Sequence, residues 1–305
     1  MMNIQNLEWI FSNEKAALAF SWSTKLIDSE KTCNNNHDIS KMGLIHHNTS
    51  HHGVIWRCSL CKKTCSILKN SIFDNSKLEI GKVLKIIYFW AHDYGVNRTA
   101  FKLQVSQHSV SSIFRQIKRA CYIYMNNEGN IPIGGEGKIV EIDETLFSKR
   151  KFHKGRILNQ IWIFGGICRD DNMIFLEQVP NRNSDTLMDS IQRNINVGTT
   201  IISDEWKAYN VIENQPQPQP YCHQTVNHSK NFVDPVTLAN TQKGERLWRD
   251  FKEKKKIING VPREDIDLYI AEFRWRRLKK IQEKDLFLST CNFLSTTKFL
   301  AEIKD

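Results

Sequence analysis

The chain has 305 residues, a formal net charge of +10 and an apolar fraction of 40%, which suggest about two domains and exclude wholesale disorder. The basic excess favours a polyanionic partner, although charge alone is weak evidence for one. No charge-free apolar run reaches the length of a membrane span, and the N-terminus lacks a signal-peptide pattern. We therefore expect an intracellular protein without a membrane partner, in the nucleus if its source is eukaryotic and otherwise in the cytoplasm.

Residues 1–76 are predicted to form a short helix followed by a small zinc-ribbon-like module. Helix-forming residues fill positions 13–20, and Ser12 or Asn13 precedes most of them as a potential helix cap. Four of the eight cysteines lie within positions 33–65, and such uneven clustering favours metal ligands over a secreted disulfide framework.

A structural Zn²⁺ is predicted in this module. Cys58 and Cys61 have the C-x₂-C spacing with which a tight turn directs two thiolates at one ion. Cys33 and His37 would complete a tetrahedral site, although C-x₃-H is an unusual spacing there. The residues that compete with them are Cys65, His46, His47, His51 and His52. Reduced surface cysteines without a metal are the alternative.

Residues 77–128 are predicted to be helical and to bind DNA. A short helix, a turn near Gln104–Ser106 and a long helix from about Gln107 resemble a helix-turn-helix, whose second helix could enter a major groove. Its apolar side would pack inward, and its basic side would contact phosphates or bases through Arg115, Lys118 and Arg119. A helical hairpin with a solvated basic face is the alternative.

A Gly/Pro-rich linker at 129–138 separates this region from a predicted domain at 138–280. The runs KIVEID, LNQIWIFGGICR and MIFLEQV are typical of three strands, followed by a helix with Ser184 as its cap and by a fourth strand, TTIISD. This order predicts an α+β or α/β domain in which helices flank a mixed sheet. Residues 281–305 are predicted to be a C-terminal helical tail.

Three acidic residues occupy settings that suit a metal site. Asp143 and Asp204 each close an apolar run, and Glu245 lies in the first turn of an amphipathic helix. Hard cations such as Mg²⁺ or Mn²⁺ prefer oxygen ligands of this kind. Two ions about 3.5–4 Å apart can serve the attacking and the leaving oxygen of a phosphodiester. In a basic chain, the three carboxylates therefore predict phosphodiester chemistry on nucleic acid.

Six motifs occur in the order of a known family: VEIDET, FGGICRDD, ISDEWKAY, VNHSKNFVDP, ANTQKGERLWRDFK and YIAEFRWRRL. Together with WRCSLC and SKLEIGKVLKIIYFWA, they resemble the DDE transposases of the Merlin superfamily, eukaryotic relatives of bacterial insertion-sequence transposases. The resemblance implies an RNase H-like catalytic fold, metal-dependent cutting at transposon ends and joining of those ends to target DNA. The family's two aspartates and its glutamate carry over to Asp143, Asp204 and Glu245.

The expected partners are the terminal inverted repeats of a transposon and target DNA, bound by a homodimer or a higher oligomer. Near the acidic residues, the side chains expected to contact DNA are Lys207, His228, Gln242 and Lys252. Trp248, also nearby, is more typical of a protein core than of a base-stacking platform.

Two residues depart from the family pattern. Asn240 stands where relatives usually have histidine, and Gly244 precedes Glu245, where a glycine costs about 1 kcal/mol of helix stability and could loosen the helix start. The first alternative function is therefore a transposase-derived DNA-binding protein without catalytic activity. A nuclease that cuts without joining and a zinc-dependent regulator are the others.

Overall fold

The computed structural model of the protein describes residues 4–33, 35–71, 73–74, 76–127, 130–147, 160–216, 219–226, 241–258, 260–282 and 284–296. Two units make up the chain, the first from Met1–Tyr124 and Lys284–Asp305 and the second from Met125–Glu283. Within the described ranges, no helix combines the length and the apolar character needed to cross a membrane.

The first unit combines helices with a small antiparallel sheet. Its helices are α1 (Ile4–Ser12), α2 (Glu14–Ser23), α3 (Ile80–Ala91), α4 (Val96–Leu103), most of α5 (Gln107–Asn127) and α9 (Leu286–Thr296). Its strands are β1 (Thr32–Cys33), β2 (Ser40–His46), β3 (Val54–Cys58) and β4 (Thr64–Ser66). The sheet order follows the chain, β1-β2-β3-β4, because each strand returns antiparallel to the one before it.

The helix predicted near residues 13–20 is present as α2. Of the two predicted caps, Asn13 holds the position, and its side-chain oxygen accepts a hydrogen bond from the backbone N–H of Ala16 at 3.1 Å. Helix α1, which ends one residue before this cap, was not predicted from the sequence. It buries Leu7 and Ile10, which lie three residues apart on one helical face.

The predicted pair of helices around residue 105 is also present. Helix α4 ends at Leu103, Gln104 adopts a left-handed backbone conformation with φ of 52°, and α5 begins at Gln107. A left-handed residue closes a helix because it lets the chain turn away from the helix axis. The apolar side chains expected to face inward on α5 are buried, namely Val110, Ile113, Phe114 and Ile117.

The second unit is built on a mixed sheet, as predicted, with five strands where the sequence predicted four. Its strands are β6 (Ile139–Leu146), β7 (Trp162–Cys168), β8 (Ile174–Val179), β10 (Thr200–Asp204) and β11 (Cys222–Val226), in the order β11-β10-β6-β7-β8. The first three strands form an antiparallel meander, and β10 and β11 run parallel to β6. Two short strands, β5 (Ile133–Gly134) and β9 (Ile195–Asn196), pair beside this sheet.

Helices cover both faces of the sheet. On one face, α6 (Ser184–Asn194) and a 3₁₀ helix at Lys207–Ile212 enclose a core that includes Val140, Ile142 and Tyr209. On the other face, α7 (Gln242–Ile257) and α8 (Ile266–Ile281) enclose a second core. Trp248 belongs to this second core and is 5% exposed, which confirms its interpretation as a core residue.

The predicted cap of α6 is wrong by one residue. Ser184 is the first residue of the helix, and Asn183 before it has the extended backbone of a cap, with its side chain accepting a hydrogen bond from the N–H of Thr186 at 2.9 Å. Both residue types suit a cap. Asn183 takes the position because its backbone, and not that of Ser184, leaves the helical region.

Candidate active site

Asp143 and Asp204 lie at the same end of two adjacent parallel strands. Residue Glu141 of β6 pairs with Ile202 of β10, and each aspartate lies two residues further along its strand. Because parallel strands advance together, this register places the two aspartates side by side at the carboxyl ends of the strands. Open sheets with helices on both faces bind ligands at this edge.

The carboxyl group of Asp143 lies in a poorly solvated position. Burial, together with the nearby charges of Glu144 and Asp204, raises its pKa to about 7, although the Glu144 N–H and the charge of Lys252 act in the opposite direction. The N–H of Glu144 donates to Asp143 Oδ1 at 2.7 Å and orients the carboxyl group. An ionised Asp143 is therefore costly unless a cation compensates it.

The carboxylate of Asp204 is oriented by the backbone that follows it. The N–H of Trp206 donates to Asp204 Oδ1 at 3.0 Å, in a turn that begins directly after β10. The Trp206 ring is 41% exposed, and the guanidinium of Arg182 lies 4.6 Å from its centroid. The sequence pattern alone does not single out Trp206, although an aromatic residue two positions after a predicted metal ligand is a usable signal.

Arg182 connects this turn to the strand that carries Asp143. Its guanidinium lies between the rings of Trp162, at 4.0 Å, and Trp206. It also forms an ion pair of 3.0 Å with the buried carboxylate of Glu144, which accepts a second hydrogen bond from the hydroxyl of Tyr209. Because Arg182 and Glu144 each contact more than one neighbouring side chain, this network stabilises the edge of the sheet on which both aspartates lie.

Glu245 lies in the first turn of α7, which packs across β6 and β7. Its side chain is exposed, and Lys252 lies seven residues later on the same helical face. The charge of Lys252 lowers the pKa of Asp143, so Lys252 lies within electrostatic range of that aspartate.

Close packing of α7 on the sheet depends on a glycine opposite Asp143. Gly165 of β7 pairs with Asp143, and a Cβ atom at Gly165 would lie 3.3 Å from the Trp248 ring and 2.3 Å from Leu176. No side chain fits there without displacing its neighbours. Gly165 of the FGGICRDD motif therefore lets the helix that carries Glu245 approach the sheet.

Gly244 does not leave the start of α7 loose, as the sequence suggested it could. Its N–H donates to the buried carboxylate of Glu141 at 2.7 Å. The other departure, Asn240, lies outside the described residues, as does the predicted DNA contact His228.

The remaining predicted DNA contacts are placed on the surface of each unit. In the second unit, Lys207, Gln242 and Lys252 are exposed. In the first unit, Arg115 and Arg119 are exposed on α5, and Lys118 is half-buried. These positions leave the basic groups accessible to a polyanion.

A second candidate site lies in the first unit. Cys33, His37, Cys58 and Cys61 place one ligand atom each within 4.8 Å of one another, with Cys33 Sγ 3.7 Å from Cys61 Sγ and Cys58 Sγ 3.4 Å from His37 Nε2. None of the competing cysteine and histidine residues joins such a group among the residues that the structure describes. A Cys₃His set with soft sulfur ligands suits Zn²⁺.

The three predicted metal-binding carboxylates lie less close together than the ligand atoms of the cysteine–histidine group. In the part of the chain that the structure describes, Asp143, Asp204 and Glu245 do not form a comparably tight cluster of ligand atoms. Like charges repel, and an oxygen site for Mg²⁺ or Mn²⁺ is drawn together by the ion that it holds. The donor set of three carboxylates nevertheless fits such a cation.

Two curated proteins are similar in sequence to this chain. An uncharacterized transposase-like protein of Haemophilus influenzae is 26% identical over 103 residues, which cover 34% of this chain and 79% of that protein. The male abnormal protein mab-31 of Caenorhabditis elegans is 23% identical over an alignment of 303 residues, which covers 89% of this chain and 66% of that protein.

Similar solved structures include an integrase core and a transposase complex. The catalytic core domain of BIV integrase has a TM-score of 0.30 and 18% identity, with 44% of this chain and 79% of that chain covered. The Mos1 transposase paired-end complex with the left transposon end has a TM-score of 0.29 and 11% identity, with 71% and 76% covered.

The family assignment rests on the second unit. A family model described as the ISXO2-like transposase domain matches residues 134–277, a range that contains Asp143, Asp204 and Glu245. This match and the Haemophilus relative confirm the predicted kinship with insertion-sequence DDE transposases, whereas the Merlin subgroup stays a prediction. Over residues 134–277, this chain therefore resembles the ISXO2-like transposase domain of insertion-sequence DDE transposases.

Proposed function

We propose that this protein is a DNA transposase that binds transposon ends, cleaves phosphodiester bonds there and transfers the 3′ ends to target DNA. One observation carries the proposal: Asp143 and Asp204 lie side by side at the strand ends of a transposase domain, below a helix that bears Glu245. The antiparallel meander β6-β7-β8, extended beyond β6 by the parallel strands β10 and β11, supports an RNase H-like core.

The carboxylates of Asp143, Asp204 and Glu245 would together hold two Mg²⁺ or Mn²⁺ ions. When bound, such ions supply an activated water and stabilise the leaving oxygen of an in-line displacement. The backbone N–H groups of Glu144 and Trp206 orient the two aspartates before the substrate arrives. This preorganisation lowers the cost of assembling the site.

The surroundings of the site suit a DNA substrate. Lys207 and Lys252 place positive charge near the aspartates, and Gln242 offers a neutral hydrogen-bonding group at the start of α7. His228 completes the predicted set of contacts. Binding through phosphates of this kind weakens steeply as salt rises, because DNA releases its condensed counterions when the protein binds.

Recognition of the transposon ends is proposed to reside in the first unit. Phosphate contacts position a protein on DNA, whereas base contacts specify the sequence. Helix α5 presents Arg115 and Arg119 on its exposed side, while its apolar side is buried. A structural Zn²⁺ held by the cysteine–histidine group would stabilise the strands β1–β4 without taking part in the chemistry.

Incubation of the purified chain with labelled transposon ends and target DNA tests the function directly. In the presence of Mg²⁺ or Mn²⁺, we expect cleaved ends and then joined products, and sizing of the protein–DNA complex should show a homodimer or a higher oligomer. Cleavage without joining would indicate a nuclease. Specific binding without cleavage would indicate a DNA-binding protein that has lost its activity.

Arg119→Ala is expected to weaken binding to the correct ends by about 1–3 kcal/mol if its guanidinium reads a base. Lys15→Ala is the matched control, because it removes the same charge from an exposed position on α2. Fluorescence anisotropy with the ends and with random DNA measures both effects. Equal losses for the two variants would contradict a specific role of α5.

Metal affinity is expected to depend on pH because the pKa of Asp143 is raised to about 7, chiefly by burial. Metal binding requires the ionised carboxylate, so below about pH 7 the apparent affinity should fall by about tenfold per pH unit. A carboxyl group with an ordinary pKa would show almost no change between pH 6 and pH 8. Titration of Mn²⁺ at both pH values distinguishes the two cases.

A further inference from the structure

Glu141 is a buried carboxylate that is not one of the three predicted metal ligands. It connects strand β6, which carries Asp143, to helix α7, which carries Glu245. Glu141 is 1% exposed and lies on β6, two residues before Asp143 and on the same face of the strand. Its Oε1 accepts a hydrogen bond from Arg169 Nε at 2.7 Å, and its Oε2 accepts one from the N–H of Gly244 at 2.7 Å. Both oxygens of the carboxylate are therefore engaged, one by a cation and one by the backbone of α7.

The contact with Gly244 takes the place of an ordinary helix cap. The first N–H groups of a helix lack partners within the helix, and a side chain at the cap usually satisfies one of them. Thr241, at the cap position of α7, makes no such hydrogen bond. Glu141 supplies the acceptor from the sheet instead, and its negative charge suits the positive end of the helix dipole.

A second contact joins the same helix turn to the sheet. Lys243 donates to the backbone oxygen of Arg169 at 2.7 Å and to Asn172 Oδ1 at 2.9 Å. Arg169 and Asn172 belong to the turn between β7 and β8, and that turn also supplies the cation that pairs with Glu141. Lys243 and Gly244, which are consecutive in α7, are thus bound to the β7–β8 turn and to strand β6, respectively.

We propose that Glu141 is a positioning residue that sets the distance between Glu245 and Asp143, a role that rests on the proposed metal-dependent function. Glu245 directly follows Gly244, so the hydrogen bond from Glu141 fixes the backbone immediately before the third carboxylate. Since Glu141 and Asp143 share one strand, a single rigid element determines where two of the three ligands lie. Loss of this contact would let the first turn of α7 move away from the aspartates.

Glu141→Ala is expected to raise the half-saturating Mn²⁺ concentration for cleavage by about 10–100-fold, as loss of a group that orients a ligand does elsewhere. We expect DNA affinity to change by less than about twofold, because Glu141 is buried. Glu141→Gln keeps an acceptor for the Gly244 N–H and should restore part of the loss. Hydrogen exchange at the Gly244 amide should accelerate in Glu141→Ala, with or without metal.

Two further variants separate positioning from general stability. Glu177→Gln breaks an ion pair of similar length, 2.9 Å, between Glu177 on the edge strand β8 and the exposed Arg193, and should leave the metal requirement within about twofold of wild type. Lys243→Met removes the second contact without touching the buried carboxylate, and it should raise the metal requirement even if Glu141→Ala fails to fold.

The outcomes are distinguishable from a failure of the proposed function. A wild-type chain without metal-dependent cleavage would contradict the function itself. If wild type cleaves DNA, an unchanged metal requirement in folded Glu141→Ala and in Lys243→Met would overturn the positioning role alone. Equal losses in Glu141→Ala and Glu177→Gln would also overturn it, since they would point to a general loss of stability.

Discussion

Asp143→Asn and Asp204→Asn are each expected to reduce metal-dependent cleavage of transposon ends by at least about 10²–10³-fold, the loss seen when one preorganised electrostatic contact to a reacting group is removed. Each change keeps the shape of the side chain and removes the charge that would hold a cation. Binding of the uncut ends should stay the same or tighten, because a negative charge near the phosphates is lost. Cleavage of labelled ends and anisotropy on the same DNA measure the two effects.

Asp143→Asn should also stabilise the metal-free protein. The pKa of Asp143 is raised from 3.8 to about 7, chiefly because the group is buried, so the folded state disfavours its ionised form. The free energy of unfolding should therefore fall as pH rises from about 4 to about 7 and remain low above it. At pH 8, the Asp143→Asn variant should melt at a higher temperature than metal-free wild type.

A matched control and an alternative glutamate sharpen this test. Asp189→Asn removes an exposed charge from α6 on the opposite face of the sheet and should leave cleavage unchanged. Glu245→Gln should behave like the aspartate variants. If Glu253→Gln abolished cleavage and Glu245→Gln did not, the helix register proposed for the third carboxylate would be wrong, and wild-type rates in Asp143→Asn would refute the site.

Cys58→Ser is expected to lose the bound zinc and to destabilise the first unit strongly. We expect about one Zn²⁺ per chain in the wild type, because the ligand atoms of Cys33, His37, Cys58 and Cys61 already lie within 4.8 Å of one another. Zinc-peptide affinities correspond to about 10–16 kcal/mol, so even a fraction of that energy would decide whether strands β1–β4 fold. Elemental analysis and thermal melting measure both consequences.

Cys65→Ser is the control for this prediction. Cys65 lies on β4, close in sequence to the cluster, and is half-buried, but it is not among the four residues that converge. The variant should keep its zinc and show only a small shift in melting temperature. Loss of zinc from Cys65→Ser with retention in Cys58→Ser would mean that the ligand set is wrong. A wild-type chain without zinc would remove the site altogether.

The sequence by itself was sufficient for features that depend on local order. The apolar runs before Asp143 and Asp204 predict strands, because such runs are buried in a sheet. The C-x₂-C spacing of Cys58 and Cys61 restricts both thiols to one turn. Helices α2 and α5 follow from their periodicity and from local start signals. The order of the sequence motifs was also enough to recognise the transposase domain, and the family match confirms that prediction.

Other features depend on partners that are distant in the chain, and only the tertiary structure reveals them. The register of β10 on β6 brings Asp204 beside Asp143, and no local pattern encodes that pairing. Glu141 resembles an ordinary strand residue until its partner Gly244, 103 positions away, is known. Helix propensity alone predicts that Gly244 destabilises the start of α7. That scale does not include a hydrogen bond to a buried carboxylate, which Gly244 forms with Glu141. A side chain's role in such a site is set by which groups surround it once water is excluded, and that environment exists only in the folded chain.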